Sequence, residues 1–451
     1  MKYLSIASRF ILGVVFIFSG FVKSVDPLGS AYKFSDYFTA FHLGFLGFLA
    51  LPVAVILSSF EVVLGISLIL GYRRRYMYRI VTWFMVFFTL LTLVLALFNP
   101  VSDCGCFGDA VILTNWETFL KNIVLLVCLI PLYLMKDKDE GTEIRPLAEW
   151  VVVGLLFVSV SGFSLWNHAH LPLLDFRPYD AGTIVQDEME IPQDAPVDQY
   201  DTELIYRNKT SGKREKFTMD NYPRDTARWE FVSSESKLVR KGYEPPIHDF
   251  AIMGREGWDA TDQILSDPGY SLIMISYDLA RADEAALQNA RDWSQLEVLA
   301  EDFSFYAVSA SPSDEVDAIS RTLDLGYSFY TADEIMLKTV VRSNPGYIMI
   351  RNGVIVGKWG FRDFPTVAEL DPGWTELIGN AAVPLGEEAQ LLMEAGAYDD
   401  FSFEVIDFDR IFTSTMCEQS GKKKEGRGVV IFILAVALVI VVSHRISPIR
   451  V

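Results

Sequence analysis

Two hydropathy patterns divide the chain. Up to residue 165, long runs of Leu, Val, Ile and Phe are separated by short polar stretches, whereas beyond residue 175 apolar positions recur at strand and helix spacing within acidic sequence. Stretches 3–21, 46–70, 80–98, 119–135 and 147–165 approach the ~20 residues needed to cross ~30 Å of hydrocarbon, and 428–442 is a shorter sixth. Lys2 and Arg9 open the first, but no small-x-small cleavage site follows Ser19-Gly20, so it reads as a retained span. Arg9, Gly13, Phe16, Gly20 and Lys23 fall on one helix face, where small residues let a neighbouring helix approach closely. Residues 23–45 read as an outside loop with a short surface helix. Ser58, Glu61 and Gly65 share one side of the second span, placing a carboxylate near the bilayer middle, where an ionised group is costly unless paired or neutralised.

Asn99-Pro100 ends the third run, because proline lacks an N–H and disfavours helix in the residue before it. Thr114-Asn115-Trp116-Glu117 has the form of a capping box opening the fourth. Between them Asp103-Cys-Gly-Cys-Phe-Gly108 forms a short loop at the membrane surface, its glycines permitting a tight backbone. Arg73, Arg74, Arg75 and Arg79 follow the second span, and the bias of basic residues to the cytoplasmic side predicts that the thiol loop faces the other way. The soluble region, about 167–427, is then extracytoplasmic. Lys422, Lys423, Lys424 and Arg427 run against that orientation, but a late helix after a long translocated domain obeys the charge rule weakly.

In the soluble region, 203–217 predicts a hairpin. Further on, 272–277 and 303–309 predict strands, 283–299 and 314–325 helices, and 343–359 two strands joined by Asn352-Gly353, a strong hairpin signal. Parallel units ending in an antiparallel hairpin predict a compact α/β domain.

Composition changes the picture in two places. Half the 451 residues are apolar, yet the formal charge is -19, so membrane and soluble parts must coexist, and the acidity argues against nucleic acid as a partner. Four cysteines are too few for a disulfide scaffold. Cys104 and Cys106 can close a small strained disulfide of the labile, oxidising kind, although Asp103 and Asp109 beside them disfavour a thiolate. The competing reading is a structural disulfide or two inert thiols. Cys417, eleven residues before the last span, can reach the same loop on a tether of at most ~35 Å, as a resolving thiol or simply an unpaired exposed cysteine. Cys128, in the fourth span, reads as a small apolar residue. Arg9 and Glu61 can form an intramembrane pair for a quinone head group or a proton; equally, Glu61 can be protonated and satisfied by Ser58 or another helix while Arg9 snorkels to the inner surface. His168 and His170 have no cysteine or carboxylate cluster at ligand spacing, so no metal site is expected.

Arg9, Leu12, Gly13, Phe16, Ser19, Gly20 and Lys23 in the first span, Glu61 in the second and the Cys-x-Cys-Phe-Gly loop together resemble the DoxX and MauE group of four-helix membrane proteins. The resemblance implies extracytoplasmic redox work: maturation of a disulfide-rich methylamine dehydrogenase subunit in the MauE branch, quinone-linked sulfur oxidation in the DoxX branch. Residues from Ile247 through Asp363 are similar to TlpA-type thioredoxin-like domains, with Asn344-Pro345-Gly346 where that family has its cis-proline. Where the family places Cys-x-x-Cys, this chain reads Ser276-Tyr-Asp-Leu-Ala-Arg281, so the domain is suited to binding or docking rather than disulfide exchange.

The expected architecture is an α-helical transmembrane bundle of four helices with a fifth and a C-terminal sixth span, carrying an extracytoplasmic α/β thioredoxin-like domain. Its divisions are 1–136, the membrane domain; 147–166, the fifth span; 186–246, a hairpin-containing linker; 247–365, the thioredoxin-like domain; 366–427, an acidic tether; and 428–443, the sixth span. The expected function is membrane-bound thiol/disulfide redox chemistry at Cys104, Cys106 and Cys417, supporting oxidation or maturation of an extracytoplasmic client in a bacterial inner membrane, with a quinone as candidate acceptor. The alternative is a non-enzymatic assembly factor with structural cysteines. A transporter organised on Arg9 and Glu61 is disfavoured, because broken helices and internal repeats are missing.

Overall fold

The computed structural model describes residues 2–135, 146–240, 242–299 and 302–370. The expected inner loop at 136–145, the tether beyond residue 370, Cys417 and the last span lie outside the described residues. Six helices open the chain: α1 (Lys2–Val25), α2 (Pro27–Ala40), α3 (Ala50–Leu70), α4 (Arg74–Phe98), α5 (Asn115–Met135) and α6 (Pro146–Ala169). Tyr3–Val25, Gly44–Leu70, Tyr76–Phe98, Asn115–Met135 and Ala148–Ala169 are long and apolar enough to cross a membrane. The protein is an integral multi-pass membrane protein.

The small-residue face expected on the first span is where α1 meets α3. A Cβ on Gly65 would lie 2.6 Å from the Gly13 carbonyl oxygen and 2.8 Å from the Ile17 nitrogen, and one on Gly20 would lie 2.5 Å from the Ser58 carbonyl. The two backbones therefore touch, which only glycine allows. Leu12, Phe16, Leu64, Leu68, Val81 and Leu129 fill the centre of the bundle, and Cys128 packs against that cluster. Helix α1 runs four residues beyond the expected end of its span, which draws Lys23 into the helix and buries it. Residues 23–45 hold a 14-residue helix, α2, capped by Asp26, whose carboxylate accepts from the Gly29 N–H at 2.8 Å.

Beyond residue 250 the chain builds a five-stranded sheet in the order β6-β5-β4-β7-β8. Its strands are β4 (Tyr270–Ser276), β5 (Phe303–Ser309), β6 (Phe329–Thr331), β7 (Gly346–Arg351) and β8 (Val354–Gly360). β4 is parallel to β5 and antiparallel to β7, and is buried on both faces, as a central strand must be. Helices α8 (Thr261–Ser266), α9 (Glu284–Leu299), α10 (Ser313–Leu323) and α11 (Glu334–Val340) connect and flank the strands. Parallel strands, a cis Asn344-Pro345 bond and a closing hairpin through Asn352 and Gly353, both at positive φ, make this a thioredoxin-like domain. Trp293 and Tyr347 anchor its core: the indole N–H donates to the Pro365 carbonyl at 3.1 Å and the phenol to that of Ala286 at 2.9 Å.

Residues 184–250 form a separate compact unit. It holds helix α7 (Val185–Met189) and an antiparallel sheet in the order β2-β1-β3, with β1 Gln199–Asn208, β2 Arg214–Thr218 and β3 Trp229–Arg240. The expected hairpin is β1 with β2. The third strand escapes the sequence pattern because Ser233, Ser234 and Ser236 break its apolar alternation.

If α1 and α3 depend on glycine contact, Gly65→Val should cost about 1–3 kcal/mol through overpacking. The apparent melting temperature of the detergent-solubilised protein should drop accordingly. Gly154→Ala, in α6 with nothing within 4 Å of the added carbon, should leave that temperature unchanged.

Candidate functional site

The loop between α4 and α5 is fixed at its base by the Asn115 amide, which donates to Asn99 Oδ1 at 2.9 Å and to the Val101 carbonyl at 2.8 Å. Asn99 ends α4 in the left-handed conformation. The expected capping box opens α5: Glu117 Oε2 accepts from Thr114 N at 2.9 Å and from its hydroxyl at 2.8 Å. Three further groups grip the loop from the bundle. Lys33 pairs with Asp103, the Tyr37 phenol donates to the Cys104 carbonyl at 2.7 Å, and the Ser19 hydroxyl lies 2.8 Å from the Cys106 carbonyl.

Held in this way, the Cys104 and Cys106 sulfurs stand 3.0 Å apart as free thiols. The neighbouring acids do not suppress ionisation as the sequence alone implied, since Asp103 is paired with Lys33 and Asp109 with Arg342. Donation of the Cys104 S–H to Cys106 lowers the Cys106 thiol to about 6, helped by the charges of Lys121 and Lys23 and opposed by burial. The Cys104 thiol is pushed up by the same shared proton and by burial. One thiolate, on Cys106, is the favoured state at neutral pH.

Beneath the pair lies a cavity of about 100 Å³. Its wall includes the polar groups of Cys104, Cys106, Ser19, Lys23 and Glu61 and the apolar side chains of Phe16, Phe84, Phe88 and Leu91. Glu61 and Lys23 form a buried ion pair at 2.7 Å, their side chains 6 % and 8 % exposed, and the Ser19 hydroxyl lies 2.9 Å from Glu61. With one proton and two acceptors, Ser19 links the ion pair to the backbone of the thiol loop. Glu61 thus meets Lys23 rather than Arg9 or Ser58; the Ser58 hydroxyl donates to the Val55 carbonyl. Lys23, already placed on the glycine face of the first span, was not read as the partner of Glu61, because a lysine at the end of an apolar run looks like a span boundary. Lys121, also on the cavity wall, rests 4.3 Å above the Phe107 ring.

Residues 1–135 match the family described as methylamine utilisation protein MauE. The first third of the chain is MauE-like. Residues 200–241, in the separate unit, match the Domain of unknown function DUF8463. The chain is similar over part of its length to a solved structure from Bacteroides thetaiotaomicron, provisionally described as a protein disulfide isomerase: 15 % identity, 32 % of this chain and 89 % of that one covered, TM-score 0.21. No curated protein matches the chain. The MauE-like domain carries the thiol loop and the cavity, and the thioredoxin-like assignment stands on sheet order and the cis-proline position.

In the thioredoxin-like domain the position of the missing Cys-x-x-Cys is internally sealed. The Ser276 hydroxyl donates to Asn344 Oδ1 at 2.9 Å, and the Asn344 amide donates to the Asp278 carbonyl at 2.6 Å. His170 stacks on Trp166 and lies 3.9 Å from Asp363, and among the described residues no three His, Cys, Asp or Glu side chains cluster as a metal site needs.

A thiol lowered to about 6 is a thiolate above that pH and is protonated as the pH falls through it. The rate of iodoacetamide alkylation of Cys106, in protein with Cys128 and Cys417 replaced by serine, should therefore be flat from pH 7 to 8 and fall below about pH 6. Cys104→Ala removes the S–H donor and should move the midpoint up toward the ordinary thiol value of about 8.5.

Proposed function

We propose that the protein is a membrane-bound thiol–disulfide redox protein whose working pair is Cys104 and Cys106, coupled to a quinone in the cavity beneath them. The observation that carries this reading is a pair of adjacent thiols, one of them acidified, on the wall of a cavity that is also lined by a buried ion pair and by aromatic rings. Closing 3.0 Å to the ~2.05 Å of a disulfide needs a sulfur movement of about 1 Å.

The chemistry balances in two steps. A client dithiol is oxidised by the Cys104–Cys106 disulfide: one client thiolate attacks a sulfur of the pair, the second resolves the mixed disulfide, and Cys104 and Cys106 are left reduced. The reduced pair then passes two electrons and two protons to a quinone, which leaves as quinol while the S–S bond reforms. Phe16, Phe84 and Phe88 offer faces for a flat ring. Lys23 and Glu61 supply a cation and a carboxylate where a quinone oxygen gains charge and a proton.

The orientation follows from charge. Arg73, Arg74, Arg75 and Arg79 lie at the turn between α3 and α4, so that end faces the cytoplasm and the thiol loop at the far end of α4 faces outward. An inner membrane with the soluble parts outside the cytoplasm fits this, as does an envelope client whose cysteines need oxidation. Cys417, on the chain beyond the thioredoxin-like domain, remains a candidate relay thiol. Arg9 has no part in the proposed step.

The test uses reduced, detergent-solubilised protein mixed with a short-chain ubiquinone analogue. One quinone should be consumed per Cys104/Cys106 pair, and Cys104→Ser/Cys106→Ser should abolish the reaction. Glu61→Gln and Lys23→Met should slow it at least tenfold, the order one removed electrostatic or proton-transfer group commonly costs. Unchanged client oxidation in cells carrying the double serine variant would instead make the cysteines structural and the protein an assembly factor.

A further inference from the structure

The two sulfurs of the thiol loop are held from different sides. Cys104 is held from α2: the Tyr37 phenol bonds its carbonyl at 2.7 Å and also reaches its thiol, and Lys33 of the same helix pairs with the preceding Asp103. Cys106 is held from α1: the Ser19 hydroxyl lies 2.8 Å from its carbonyl and 2.9 Å from Glu61, and Phe18 packs against the next residue, Phe107, with ring centres 5.4 Å apart. Gly105 turns the chain between them at φ +63°, a conformation that favours glycine, and a Cβ there would lie 3.1 Å from Lys33 Cγ.

These two helices differ in their surroundings. α1 is long and apolar enough to cross a membrane, whereas the 14-residue α2 is not among the helices that are. Cys106 therefore meets the buried charges of the bundle: Lys121, Lys23 and Glu61 all act on it, while the neighbours that act on Cys104 are Cys106, Tyr37 and Lys121. Disulfide exchange turns this asymmetry into a direction. A thiolate attacks in line with the bond it breaks, so it reaches Cys104 from the side away from Cys106, and Cys106 from the side away from Cys104. The second path leads through the bundle, past Ser19 and the Glu61 carboxylate, which repels an incoming anion. On the first path the electron pair leaves on Cys106, toward two lysines, and a sulfur whose anion is stabilised leaves faster.

We propose that the pair works with a fixed polarity: a client thiolate attacks the Cys104 sulfur, and Cys106 is the cysteine that leaves toward the cavity and hands the electrons on to the quinone. The exchange balances. The first client thiolate bonds to Cys104 while the S–S electron pair leaves on Cys106. The second client thiolate attacks the client sulfur of this mixed disulfide, Cys104 leaves and takes one proton, and the client holds a disulfide. What remains is a thiol on Cys104 and a thiolate on Cys106. Two electrons then pass to the quinone with the Cys104 proton and one proton from water, and the S–S bond reforms.

This inference rests on the quinone-linked disulfide of the proposed function, and the experiment separates the two. The full-length protein in detergent is oxidised with the short-chain ubiquinone analogue, and in parallel with diamide. Each sample receives excess reduced glutathione for a few seconds and is quenched with N-ethylmaleimide, and fragmentation of the peptide carrying both cysteines locates the two labels. Glutathione should sit on Cys104 and maleimide on Cys106, at least about tenfold over the reverse, the ratio that about 1.4 kcal/mol between the two barriers produces. The acceptor side is read in Cys104→Ser and Cys106→Ser at about pH 9, above the ordinary thiol value. There the analogue should slow iodoacetamide alkylation of the lone Cys106 and leave that of the lone Cys104 unchanged. Comparing each variant with and without the analogue removes any difference in thiol acidity between them. Glutathione on Cys106, or on both cysteines equally, overturns the polarity, and so does protection of Cys104 by the analogue. Failure of the analogue to close a disulfide that diamide closes overturns instead the quinone reading beneath it.

Discussion

A carboxylate inside an apolar bundle has to be answered, and the way Glu61 is answered organises the membrane half of this protein. Its partner is a lysine one helix away, and bringing Lys23 to it requires α1 to continue past the expected end of the span and to lie against α3 with backbones touching. The glycines at 13, 20 and 65 are therefore the means by which the charges meet, since bulkier residues would hold the helices apart. A buried pair of this kind is poor as a source of stability, because desolvation offsets much of the attraction. It stands beside two thiols and a cavity, where the proposed chemistry makes use of it.

The same economy runs through the thiol loop. Each acid beside the cysteines is matched by a cation from elsewhere in the fold, Lys33 for Asp103 and Arg342 for Asp109, so the Cys106 thiol is lowered first by the hydrogen bond between the thiols and then by the charges of Lys121 and Lys23. The loop backbone is held by hydroxyls and amides from α1, α2 and α5, leaving the two sulfurs as its freely reacting atoms.

What could be read from the sequence was what local chemistry dictates. The capping box at Thr114 and Glu117, the turn at Asn352-Gly353 and the glycine face of α1 are signals carried within a few residues, and each stands in the structure as expected, while the cis bond at Pro345 was implied by the family resemblance alone. The partners of charged groups were not legible. Arg342 is separated from Asp109 by 233 residues and from Asp26 by 316, and neither residue type nor spacing announces such a pair. The sequence likewise suggested that the aspartates would suppress the thiolate, because the cations that neutralise them come from α2 and from a different domain.

The thioredoxin-like domain and the bundle are joined along one continuous line of contacts: Arg177 and Arg342 donate to the adjacent carbonyls of Thr339 and Lys338, and Lys358 and Arg362 extend the line to Asp175 and Ala169. Loss of a single residue from such a line leaves its neighbours bonded, so the α/β domain and the membrane helices should open as one cooperative unit rather than separately.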